Sequence, residues 1–96
     1  LERGLKRYPG DEGTVLRLAA NYANLGRKDD ALDLLDEAIR DSPGFLHGHF
    51  VKATILKSLS RKSQAVEHLR HVLAAPGADE SLRARARELH DEIAGS

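Results

Sequence analysis

The sequence predicts an all-α chain of short amphipathic helices joined in pairs by tight turns. Three observations carry that expectation. Ala and Leu are frequent, aromatics make up only 4% of residues, and no stretch alternates apolar and polar positions as a half-buried strand would. Apolar residues recur instead at three- and four-residue spacing, between turn signals built from Gly, Pro and Ser. The pattern also returns every 34 residues: Pro9 leads to Pro43, Leu5 to Ile39 and then Leu73, and Asp11 to Asp79 after two periods.

Taken in order, residues 1–10 read as the tail of a helix stopped by Pro9-Gly10. Asp11 is a natural N-cap for the next helix, because its carboxylate can accept from the free N–H groups of the first turn. That helix runs to about Leu25, and Gly26 supplies the turn. Asp29 and Asp30 start the following helix, where negative charge meets the positive end of the dipole. Its apolar face is Ala31, Leu32, Leu34, Leu35, Ala38 and Ile39, with charged residues between. Asp36 and Arg40 stand one turn apart as a supporting pair. Ser42-Pro43-Gly44 closes the unit.

The period then repeats. Phe45 to about Leu59 is a helix with Ala53 in the slot of Ala19 and Leu56 in the slot of Tyr22. Ser63 starts the next helix, in which Ala65, Leu69 and Val72 follow Ala31, Leu35 and Ala38. His49 and Lys52 fill slots where apolar bulk is expected, and Pro76 comes one residue early. Asp79 starts a last helix, about Glu80 to Ala94, with an apolar stripe of Leu82, Ala86, Leu89 and Ile93. Arg83, Arg87 and His90 occupy slots that an internal repeat would bury, so this helix is expected to be a polar-faced cap.

The stretch from Glu12 to Gly44 resembles a tetratricopeptide repeat. The residues that carry the resemblance are Val15, Leu18-Ala19, Tyr22, Ala31, Leu35 and Pro43, at the family's spacing. Val stands where the family has Trp, Ala where it has Gly, and Leu where it has Phe. The resemblance implies an α-solenoid of antiparallel helix pairs, a right-handed superhelix within one domain over residues 1–96. Its parts would be the end of a preceding helix (1–10), repeat 1 (11–44), repeat 2 (45–78) and a C-terminal capping helix (79–96).

The resemblance further implies a non-catalytic interaction module. Its first helices would line a concave groove for a peptide or a partner's helix. Projected onto this sequence, the groove presents Gly13, Leu16, Arg17, Ala20 and Asn24, then His47, Phe50, Val51, Thr54 and Ser58. Leu16 and Phe50 share a slot and form its apolar floor. Some family members hold C-terminal carboxylates with Lys, Asn and Arg on these helices. Leu16, Ala20 and Val51 stand in those slots here, which argues against that ligand.

Composition bounds the function. A chain of 96 residues is one domain at most. Its 15 basic and 15 acidic residues balance, which argues against duplex DNA and anionic membranes as partners. The cluster Arg83, Arg85 and Arg87 is offset by Asp79, Glu80, Glu88, Asp91 and Glu92 on the same helix. No Cys is present, so no disulfide or thiolate metal site is expected, and a cytoplasmic location fits. No signal peptide is evident, and no apolar run approaches the roughly 20 residues of a membrane span. The start at Leu1, inside a helical pattern, suggests a piece of a longer chain.

Catalytic and metal constellations are weak. His68 and His71 stand one turn apart without an obvious third ligand and read as surface residues. His47 and His49 point to different sides of a helix. No serine is arranged with a base, and no glycine-rich loop could cradle phosphate. The expectation is therefore no enzyme, no cofactor and no metal, with a protein or peptide as partner. The alternatives are a structural spacer with weak homo-oligomerisation, or a regulatory appendage to an enzyme encoded elsewhere in the chain.

Overall fold

The computed structural model describes residues 12–95. The expected helix tail at 1–10 and the Asp11 cap lie outside the described residues. Within them the chain is all-α, with five helices: α1 (Glu12–Asn24), α2 (Lys28–Asp41), α3 (Leu46–Ser58), α4 (Lys62–Ala74) and α5 (Glu80–Ala94). The chain forms two compact units, and the division falls between Gly48 and His49, within the residues of α3.

In the first unit α1 packs on α2. Most of the apolar face read from the sequence is buried: Val15 and Ala19 on α1, and Ala31, Leu32, Leu34, Leu35 and Ala38 on α2, while Ile39 is half-buried. Alanine at a fully buried helix position lets a neighbouring backbone come close, and leucines fill the space on either side. Phe45 is buried as well. Gly48 makes room for it, since a Cβ there would stand 2.7 Å from the Phe45 ring.

The turn between α1 and α2 ends the helix with an αL glycine. Gly26 has φ +81°. The Gly26 N–H donates to the Ala23 carbonyl at 3.1 Å, and the Arg27 N–H donates to the Tyr22 carbonyl at 2.8 Å. These two bonds satisfy carbonyls that the helix end would leave open, the pattern of a Schellman cap. The Arg27 guanidinium lies over the Tyr22 ring, 4.9 Å from its centroid, and its Nε donates to Asp30 at 2.7 Å.

In the second unit the same turn recurs 34 residues later. Ser60 takes the αL position with φ 64°. Its N–H donates to the Lys57 carbonyl at 2.9 Å, and the Arg61 N–H donates to the Leu56 carbonyl at 2.9 Å. Arg27 and Arg61 have nearly equal backbone angles, φ −98° and ψ 61° against φ −95° and ψ 65°. The buried set is again periodic: Ala53, Leu56, Ala65, Leu69 and Val72. α4 packs on α5, which buries Leu82, Ala86 and Ile93.

Two start signals were misplaced by the sequence. α2 and α4 begin at Lys28 and Lys62, and their caps, Arg27 and Arg61, make no side-chain cap bond. Arg27 and Arg61 are the closing residues of the two Schellman turns, and each helix starts directly after one. Asp79 does cap α5, accepting from the Leu82 N–H at 2.7 Å. The shared slot of Leu25, Leu59 and Ile93 also diverges. Leu25 is 71% exposed and Ile93 only 6%. Leu25 lies past the last residue of α1, in the turn, whereas Ile93 is still inside α5.

The two turns make opposite mutational expectations. Gly26→Ala places an L side chain at positive φ with nothing within 4 Å to clash, so the cost is backbone strain alone. It should destabilise by about 1 kcal/mol. Ser60→Gly relieves the same strain and should stabilise by up to about 1 kcal/mol, after the entropy of the freer unfolded chain is subtracted. Urea midpoints with unchanged slopes would read both changes. Leu35→Ala and Leu69→Ala, both fully buried, should each cost about 2–5 kcal/mol.

Candidate functional site

The residues projected onto a groove are all accessible to some degree. On α1, in the first unit, Gly13, Arg17, Ala20 and Asn24 are exposed and Leu16 is half-buried. Their spacing places them along one side of the helix. His47, on the first turn of α3, belongs to the same unit and is exposed.

In the second unit Phe50 and Val51 are half-buried, and Thr54 and Ser58 are exposed. The Thr54 hydroxyl donates to the Phe50 carbonyl at 3.1 Å and the Ser58 hydroxyl to the Ile55 carbonyl at 2.6 Å. Both hydroxyl protons are thus used by the helix itself. What these side chains offer a partner is a methyl group and oxygen lone pairs.

α5 lies beside α3 on this side. The Arg85 guanidinium sits 5.3 Å from the centroid of the Phe50 ring. Farther along, Lys57 and Glu92 form an ion pair at 2.9 Å. The pair is substantially exposed, so it contributes little to stability. The resulting face has an aromatic ring at its centre, a guanidinium held over the ring, and charged groups at one end. Cation–π stacking orients the guanidinium while leaving its outward N–H groups available as donors.

Arg85 and Glu92 were missed by sequence reasoning. Arg85 lies in the slot of Arg17 and Val51, and Glu92 in the slot of Asn24 and Ser58, one period on from residues already chosen. Treating α5 only as a polar cap hid that continuity. Arg83, one of the three slots assigned to the cap's outer face, is half-buried. It donates from Nη2 to the carbonyls of Ala75 (3.1 Å) and Ala78 (3.2 Å), which ties the α4–α5 connection to α5. Its Nε is buried with no hydrogen-bond partner.

The histidines also differ from expectation. His68 is half-buried, not a free surface residue, and its partner comes from another helix. His49 is buried, 9% exposed, and its Nδ1 lies 3.0 Å from Nδ1 of His68. The His49 ring centroid is 5.2 Å from that of His68 and 4.4 Å from that of His71. Among the described residues no group of three His, Cys, Asp or Glu is arranged to hold a metal ion. No helix among them is long and apolar enough to cross a membrane.

Removing Arg83 should matter more than breaking the exposed pair. Arg83→Ala removes the side-chain donor from both carbonyls, leaving that of Ala75 only the Ala78 N–H at 3.3 Å, and should cost about 1–3 kcal/mol. Lys57→Ala should change stability by less than about 1 kcal/mol. Chemical denaturation of both variants would rank them.

Comparison with known proteins finds no matching family model, curated protein or solved structure.

Proposed function

We propose that the chain is a tetratricopeptide-type interaction module, a non-catalytic solenoid segment whose exposed helix faces bind a partner protein. In the second unit the binding face is the side shared by α3 and α5. The occupant is a peptide or helix that sets an apolar side chain against Phe50 and an acidic one against Arg85. The observation that carries this reading is the Phe50–Arg85 pair. An aromatic ring is left half-buried on a helix whose core slots are filled by other residues, and a guanidinium is stacked over it. Aromatic and Arg side chains are the residue types most enriched at interface hot spots.

Two further features support the reading. The Schellman turns at Gly26 and Ser60 are alike in hydrogen bonding and lie one 34-residue period apart. The residues at Ala19, Ala31 and Leu35, and one period later at Ala53, Ala65 and Leu69, are all fully buried. The folding slots are thus filled by one set of residues and the accessible slots by another.

Selection from a displayed peptide library against the whole chain, followed by affinity measurement on variants, tests the proposal. Phe50→Glu should weaken the selected peptides at least tenfold while the far-UV helical signal persists. Arg85→Ala should weaken those with an acidic residue and spare those without. If the peptides bind Phe50→Glu as tightly as the native chain, the face lies elsewhere. Should Phe50→Glu unfold, the ring is core and the assignment fails.

A further inference from the structure

The histidines of the second unit replace apolar residues of the first in two related slots. Val15 and Leu34 are both buried, and one period later stand His49 and His68. The Nδ1 atoms of that histidine pair are 3.0 Å apart. At that separation one nitrogen must carry the proton and the other must be bare, because two N–H groups cannot point at each other. The pair therefore holds one proton between the facing nitrogens. A second would place two donors and two positive charges in contact, with His49 buried from the water that could screen them.

We propose that His49 and His68, with His71 against them, form an acid-sensitive latch between α3 and α4. Near neutral pH the shared proton joins the helices. As the pH falls, the second proton is taken up by opening that contact. His71 is exposed and stands one turn after Glu67. Its ring is 4.4 Å from that of His49. The other charged groups nearby in sequence are Lys52, one turn after His49 on α3, and Arg70, next to His71 on α4. On α5, Arg83 and Arg87 share an open depression with Glu80, Glu88 and Asp91, so that helix adds little net charge.

The sign follows from linkage. In the unfolded chain the two imidazoles are apart and hydrated, and each can take a proton near pH 6.5. The folded pair holds one proton fewer, so the latch is intact above that pH and stability is lost as the pH falls below it.

Urea unfolding of the whole chain between pH 7.5 and 5.5, followed by far-UV circular dichroism, tests the latch. The unfolding constant should rise by up to about tenfold per pH unit below about pH 6.5, for one extra proton bound on unfolding. The variant His49→Val with His68→Leu gives the second unit the residues of the first and should lose that rise. The variant His47→Gln with His90→Gln should keep it. The latch is overturned if the first variant retains the native pH dependence, if the second abolishes it, or if the native chain shows none. Should the first variant fail to fold, imidazole NMR of the native chain decides. One ring of the pair can take a proton on its outer nitrogen and keep the contact, and the other should resist protonation until the helices separate. Five rings titrating independently in the folded chain would contradict the latch.

Discussion

The structure depends on close helix approach at alanine. Ala19, Ala31, Ala53 and Ala65 are all fully buried, and no larger side chain would let paired helices come as near. Everything else is arranged around those positions. Leu35 and Leu69 fill the space beside them, and the turns at Gly26 and Ser60 reverse the chain in few residues. Helices of 13 to 15 residues would be marginal alone in water, so their persistence rests on this packing.

That constraint sorts the residues by role. A slot needed for close approach or for filling is not free to contact a partner. The residues that remain, Leu16 and Arg17 on α1, Phe50 and Thr54 on α3, and Arg85 on α5, are accessible because the fold does not consume them. The Phe50–Arg85 pair differs from the rest because its parts are already oriented toward each other. On meeting a partner, Phe50 and Arg85 would lose little additional side-chain freedom.

Much of the fold was legible in the sequence because it is local. Helix periodicity placed α5 at the residues observed, and Asp79, expected to start it, is its N-cap. Gly26 in the left-handed region followed from its place just past a helix end. What was not legible depends on pairing between helices. His49 looked like a defect in an apolar slot, and His68 and His71 looked like surface residues, because periodicity along one helix says nothing about the helix opposite. Arg85 was read with its helix neighbours as a cancelled charge cluster. The period puts it in the groove slot of Arg17 and Val51. Leu25, two periods before Ile93, is exposed because its helix ends one residue earlier.

The claim that the α3–α5 face binds a partner is tested most directly by locating a ligand on the chain. Amide and side-chain NMR shifts, followed while a selected peptide is titrated in, would map it. The shifts should centre on Phe50, Thr54 and Arg85, with the Phe50 ring resonances moving most. Shifts centred on other residues, with those three unmoved at saturation, would contradict it.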